Sequence, residues 1–299
     1  MSLRPGRRRT ADIDIVRTVA ALRETVAAWR AAGETVAFVP TMGGIHAGHL
    51  SLVHAARKSA DRVAISLFVN PRQFGANEDF ASYPAHEAED AAALLAAGSD
   101  AIYAPGTAAI YPEGFATTVS VADLTAGLCG PHRPGHFDGV ATIVAKLLLQ
   151  CGPDRALFGE KDFQQLQVIR RLVRDLDIPV EILGVPTVRD PDGLALSSRN
   201  AYLNEAERRA APVLFRTLSA LAETVAEGKV DCRAAAKAAE EELLAAGFSS
   251  VDYVAVCDAE ALAPVDRVAG KARVFGAARL GATRLIDNLP VPHLDKKAG

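Results

Sequence analysis

From residue 15 onward the apolar positions change repeatedly between helical and strand spacing. Ile15, Val19, Leu22, Val26 and Trp29 recur at three- and four-residue steps, which predicts an amphipathic helix ending at Gly33. Residues 35–39 (TVAFV) form a short apolar run bounded by Pro40, the signature of a buried strand. A helix over 48–58, a strand over 62–69, a helix over 84–97 closed by Gly98 and a strand at Asp100 continue the series. Val140, Ile143, Val144, Leu147, Leu148 and Cys151 mark another helix. A strand at 155–158, a helix after Lys161 and a strand at 180–185 complete it. Apolar strands that alternate with helices predict a parallel sheet covered on both faces.

After about Val188 the rhythm changes. An alanine-rich helical stretch spans 204–247, followed by strand candidates at 251–257, 272–280 and 282–287, with Gly281 suited to turning a hairpin. The expectation is an α/β domain over residues 1–188 and a smaller α+β domain over 189–299, joined through the loop 189–200. Composition agrees with an ordinary globular protein: of 299 residues, 49% are hydrophobic and 23% charged. A net charge of −3 gives no basic footprint for nucleic acid. The cluster Arg4, Arg7, Arg8 and Arg9 reads as a solvated tail and lacks the apolar stretch of a secretory signal. No run reaches the ~20 apolar residues of a membrane span. Cys129, Cys151, Cys232 and Cys257 are too scattered for a zinc ribbon or a disulfide framework, and Cys151 falls on an apolar helical stripe. A cytoplasmic protein is therefore expected.

The candidate chemistry gathers where strands end. The first buried strand runs into Met42-Gly43-Gly44-Ile45-His46-Ala47-Gly48-His49, a glycine-rich turn at the head of a helix. In open α/β sheets ligands bind at such strand ends, and the N–H groups and dipole of a helix N-terminus favour phosphate. His46 and His49, three apart, can share a face and donate to phosphate oxygens. Alternatives are a plain tight turn, or a metal pair, although no HExxH is present; Walker A and GxGxxG spacings are also absent. Gly159-Glu160-Lys161-Asp162 likewise stands between a strand and a helix, with Gln165 one turn on. Lys161 suits a triphosphate and Gln165 a hydroxyl or carboxylate, whereas a charged helix start is the bland alternative. Leu196-Ser197-Ser198-Arg199 at the domain junction fits a phosphate clamp or an ordinary polar connector. Asn70 and Gln73 leave the second strand as substrate-orienting amides, with Pro71 shaping the turn.

The segments VPTMGGIHAGH, FVNPRQF, RPGHFDGV, LFGEKDFQQL, GVPTVRDPDGLALSSRN and RLIDN, in that order, resemble the pantothenate synthetase family within the HxGH nucleotidyltransferase superfamily. The resemblance implies an ATP-dependent ligase that condenses pantoate with β-alanine through a pantoyl adenylate. It implies ATP binding at Met42, Gly43, Gly44, Ile45, His46, Ala47, Gly48, His49, Gly159, Glu160, Lys161, Asp162, Val188, Leu196, Ser197, Ser198 and Arg199. His49 would be a proton donor or a charge stabiliser, and His46, Lys161 and Arg199 would stabilise charge. Gln73 would contact pantoate and β-alanine, and Gln165 pantoate. A Rossmann-like nucleotide-binding domain, a C-terminal lid, a homodimer and Mg²⁺ accompany it. The metal's protein ligands are unknown, with Glu89 and Asp90 as candidates. Arg72 departs from the family pattern, as does the basic stretch before Ala11. Rival readings are another adenylyltransferase, a nucleotide sensor without catalysis, and an RNA-binding module.

Overall fold

A computed structural model describes residues 14–76, 78–84 and 86–292; the arginine cluster 4–9 lies outside them. The N-terminal part holds strands β1 (Asp14–Val16), β2 (Val36–Thr41), β3 (Arg62–Leu67), β4 (Ala101–Tyr103), β5 (Arg155–Gly159) and β6 (Glu181–Val185). Its helices are α1 (Val19–Ala31), α2 (Ala47–Ser59), α3 (Glu87–Ala97), α4 (Thr107–Ile110), α5 (Cys129–His132), α6 (His136–Cys151) and α7 (Phe163–Asp175). The six strands form one parallel sheet in the order β1-β4-β3-β2-β5-β6.

That order contains the feature that positions the site. The chain moves outward from β2 through β3 to β4, then returns to start β5 on the other side of β2. The reversal opens a crevice beyond the carboxyl ends of β2 and β5, where crossovers diverge to opposite faces. One face is sealed by α1, α6 and α7 around Phe38, Tyr103, Leu148 and Leu166. The other is sealed by α2 and α3 around Val39, Ile65, Leu94 and Leu157. Burial on both sides explains why these strands read as continuous apolar runs.

Several boundaries differ from expectation: the helix expected over 84–97 begins at Glu87, the strand expected over 62–69 ends at Leu67, and two further differences have a clear cause. Ile15 belongs to a strand, not to the first helix: Asp14–Val16 pairs with β4 at the sheet edge, and Thr18 caps a helix beginning at Val19. Ile15 fits the helical period, but edge pairing outweighs it. Pro40 does not end its strand. Even-numbered residues of β2 face β5, and that pairing stops at Phe38, so the missing N–H of Pro40 costs no ladder bond.

The C-terminal part comprises α8 (Glu205–Ala210), α9 (Val213–Val225), α10 (Cys232–Ala245) and the antiparallel strands β7 (Ser250–Asp258), β8 (Ala272–Leu280) and β9 (Thr283–Pro290). The last two form the expected hairpin, turning at Gly281 and Ala282. A separate apolar cluster, including Leu214, Leu218, Leu243 and Val274, packs α9 and α10 on this sheet. The fold is thus mixed α/β, with a parallel sheet and a smaller antiparallel one. All four cysteines are buried and unpaired, and burial pushes the Cys151 thiol up to about 12.

Candidate active site

A cleft of about 820 Å³ opens at the β2/β5 crevice and extends to the C-terminal part. Of the predicted residues, Met42, His46, Gly48, His49, Asn70, Gln73, Gly159, Lys161, Asp162, Gln165, Val188, Leu196, Ser197, Ser198 and Arg199 line it. Gly43, Gly44, Ile45, Ala47 and Glu160 do not line it and act as framework.

The glycine turn takes its shape from buried partners. Gly43 and Gly44 have φ of 87° and 64°, the left-handed region that glycine enters without strain. Asp90, buried on α3, accepts from the N–H groups of Gly44 and Ile45 at 2.9 and 2.7 Å. Gly43 N–H reaches Thr41 Oγ1 at 3.4 Å. These amides are therefore not open to phosphate, because a buried turn must satisfy its own donors. For the same reason Asp90 is not a free metal ligand, and Glu89 points to solvent.

The two histidines take over as donors. His46 caps α2: its Nδ1 accepts from Gly48 N–H at 3.1 Å, while His49 Nδ1 accepts from His46 N–H at 3.4 Å. A ring nitrogen that accepts leaves the proton of a neutral imidazole on Nε2. The rings lie 4.1 Å apart at 41°. Burial lowers both basicities, helped at His46 by Lys161 and at His49 by His46; His49 falls to about 3. Both rings are neutral Nε2–H donors at physiological pH.

Lys161 and Gln165 are the least committed groups in the cleft. Among the described residues, the nearest carboxylate oxygen to Lys161 Nζ is Asp162 Oδ2 at 4.0 Å, and the Gln165 side chain makes no hydrogen bond to protein. Its neighbour Gln164 is the opposite: buried, it donates to Leu124 O and Gly127 O and accepts from Cys129 N–H, each at 2.9 Å. Arg199 is not free for a phosphate here. Its guanidinium grips Asp79 at 2.7 and 2.9 Å, and Ser198 Oγ lies 3.4 Å from Gly44 O, fastening the 197–202 segment across the cleft. Ser197 Oγ accepts from Arg199 N–H at 3.3 Å. Val188 has given its carbonyl to Leu196 N–H, at 3.0 Å.

Asn70 borders the cleft from behind Gln73, with its amide taken up by protein partners. Only 1% exposed, it donates to Gln73 Oε1 (3.0 Å) and Gly139 O (3.1 Å) and accepts from Tyr111 Oη (2.8 Å). Arg72, the unusual cation, turns away to Thr117 and Thr118 with its guanidinium over Phe115 at 5.4 Å. Several contributors lie in the family-like segments RPGHFDGV and RLIDN, where the sequence assigns them no individual role. Arg133 donates to His136 Nε2 at 2.9 Å, so His136 carries its proton on Nδ1 and donates to Gln73 O at 2.9 Å. Burial holds that imidazole at about 4. Arg133 is paired with Glu78 at 2.6 Å. From β9, Asn288 reaches the Glu160 and Lys161 carbonyls, and Asp287 holds Arg189. The hints in sequence are the RLIDN segment and two adjacent polar residues within a strand.

The family described as Pantoate-beta-alanine ligase matches residues 14–290. A pantothenate synthetase of Paramagnetospirillum magneticum is 59% identical over 93% of this chain and 98% of its own. The crystal structure of pantothenate synthetase from Thermus thermophilus superposes with a TM-score of 0.87 at 50% identity, covering 93% and 99% of the two chains. The pantoate-beta-alanine ligase of Francisella tularensis, solved with beta-gamma ATP and beta-alanine, gives 0.79 at 30% identity, covering 93% and 98%.

Proposed function

The chain belongs to the pantoate–β-alanine ligase family, enzymes that make pantothenate, and from that premise we propose how this cleft performs the condensation. The carboxylate oxygen of pantoate attacks the α-phosphorus of ATP. The bond to the β-phosphate oxygen breaks, and pyrophosphate leaves with the electron pair. The amine of β-alanine then attacks the carbonyl carbon of the pantoyl adenylate, and the C–O bond to AMP breaks. Transfer of this kind depends on positioning and charge stabilisation.

His46 and His49 donate Nε2–H to phosphate oxygens as neutral groups, and Lys161 supplies the fixed positive charge. Gln73 and Gln165 hold pantoate, with Gln73 also meeting β-alanine; Val188 borders the adenine, and the Ser197, Ser198 and Arg199 segment closes over the phosphates, anchored across the cleft by the Arg199–Asp79 pair. The observation that carries this reading is the geometry at the β2/β5 crevice: two adjacent imidazoles whose Nδ1 atoms each accept a backbone N–H, beside a lysine whose nearest carboxylate oxygen lies 4.0 Å away. His49 serves as a hydrogen-bond donor instead of an acid, since its imidazolium is too costly to populate at neutral pH.

Mg²⁺ enters with the nucleotide. Among the described residues no three His, Cys, Asp or Glu side chains gather into a cage. Mg²⁺ commonly takes only one or two carboxylates besides phosphate, and Asp162 is the cleft carboxylate without a hydrogen-bonded partner. We further propose a cytoplasmic homodimer working as two units, residues 1–188 and 189–299. The separate apolar cluster from Leu194 onward supports the division, and no helix among the described residues is long and apolar enough to cross a membrane.

Pantoate-dependent exchange of labelled pyrophosphate into ATP tests the adenylate, since the first step reverses without β-alanine. Exchange that needs pantoate is the expected result. Pantothenate formation without any such exchange refutes the two-step course.

A further inference from the structure

In β9, Asp287 and Asn288 stand side by side and are only 4% and 3% exposed. Neighbours on a strand point to opposite faces, so the pair reaches two different places. The Asn288 amide donates to the backbone carbonyls of Glu160 (2.9 Å) and Lys161 (2.8 Å). Its Oδ1 accepts from Arg273, which also reaches Glu160 Oε2 at 3.3 Å and lies over the Phe163 ring. Every hydrogen-bonding group of that amide is thus committed, and its orientation is fixed. The Asp287 carboxylate holds Arg189 with two contacts, at 2.6 and 2.8 Å. Arg189 in turn donates to Gly193 O (3.0 Å) and stacks over Phe215, securing the root of the loop that ends in Ser197, Ser198 and Arg199.

We propose that Asp287 and Asn288 are positioning residues for adenylate formation: one strand of the C-terminal sheet sets both the Lys161 turn and the 189–199 loop. Neither side chain lines the main cleft, so neither touches the reacting atoms. Backbone carbonyls held on either side of the Lys161 Cα fix the direction in which its ammonium leaves the turn. The proposal rests on the assignment of Lys161 and the serine-rich loop to the phosphates, and extends it to residues outside the cleft.

A double-mutant cycle on the full chain tests it, read by pantoate-dependent pyrophosphate exchange. Asn288→Ala should slow exchange by ~10²-fold, the usual consequence of ~1 Å of misplacement, with the pantoate KM little changed. If Asn288 acts through Lys161, the double variant Lys161→Ala/Asn288→Ala should be no slower than Lys161→Ala alone. Losses that multiply overturn the proposal, because independent sites add in free energy. Asn288→Ser keeps one donor and should recover part of the rate; it carries the same cycle if the alanine variant fails to fold. Asp287→Asn combined with Arg199→Ala forms the parallel cycle for the loop. If the unaltered enzyme shows no exchange, the two-step reading fails. If it exchanges and the cycles multiply, only the positioning role fails.

Discussion

Replacing Gly139 with alanine pits helix propensity against a close backbone approach. Gly139 sits inside α6, where alanine should stabilise an unobstructed helix by ~1 kcal/mol. A Cβ built there, however, would stand 2.2 Å from Arg72 O and 2.7 Å from Gln73 N, backbone atoms of the turn that carries Gln73. Ordinary contact begins near 3.4 Å, so the turn must move by roughly 1 Å. It cannot move freely: His136, three residues earlier on the same helix face, holds Gln73 O, and Asn70 holds Gly139 O and the Gln73 amide. Overpacking against fixed backbone costs ~1–3 kcal/mol, which cancels or exceeds the propensity gain. A 1 Å shift of a substrate-orienting amide costs ~10²-fold in rate. Steady-state kinetics with pantoate and β-alanine varied separately, alongside thermal unfolding, measure both effects. The expected variant is no more stable than the parent and about a hundredfold slower. A variant of raised Tm and near-normal turnover would refute the close approach and the role given to Gln73.

His49→Ala and Lys161→Ala should each reduce pyrophosphate exchange by ~10²-fold or more, the usual loss for one well-aimed charge-stabilising donor; near-normal exchange in both folded variants would sink the mechanism. Between pH 5 and 8 His49 should produce no ionisation limb in kcat, because burial holds its imidazole at about 3; a limb removed by His49→Gln would contradict this. Stability should fall as pH drops from about 6.5 towards 4. Above 6.5 these histidines are neutral in folded and unfolded chains alike; below it the unfolded chain takes up protons that His49 and His136, held at about 3 and 4, refuse. Thermal unfolding across that range checks the direction, and His136→Asn should flatten the slope. Gln164→Ala should destabilise the protein by at least ~2 kcal/mol by orphaning buried groups, whereas Gln165→Ala should fold normally and raise the pantoate KM.

What could be read from the sequence follows from how local each signal is. The alternation of apolar runs announced a parallel sheet because burial on both faces leaves no polar positions in the strands. Glycine turns at strand ends announced a cleft because sheet topology places ligands there. Long-range pairing was not legible. Ile15 fits the helical period, and only the distant β4 draws it into a strand. Gln164 and Gln165 look alike in sequence, yet a rotation of about 100° around the helix sends one into the core and the other to the cleft. Asn70 reads as a substrate ligand because nothing local reveals that Tyr111 and Gly139 occupy it. Asp90 reads as a metal candidate until the turn it caps, forty-five residues earlier in the chain, is folded beside it.

The distribution of charge around the cleft explains why neutral histidines are useful there. Arg133 and Arg199 line the cleft, but Glu78 and Asp79 already neutralise them through two-pronged pairs. Lys161 faces its nearest carboxylate only at 4.0 Å. Were His46 and His49 protonated as well, three like charges would crowd one helix N-terminus, whose own dipole is positive at that end. The folded chain avoids this by giving each Nδ1 a backbone N–H, which holds the ring proton on Nε2 and orients the ring without adding charge. In the proposed complex, a phosphate at this turn meets two ring N–H donors and the Lys161 ammonium. On that reading the histidines supply direction and the lysine field strength, and the Asn288 contacts to the Glu160 and Lys161 carbonyls are what would hold the two in register.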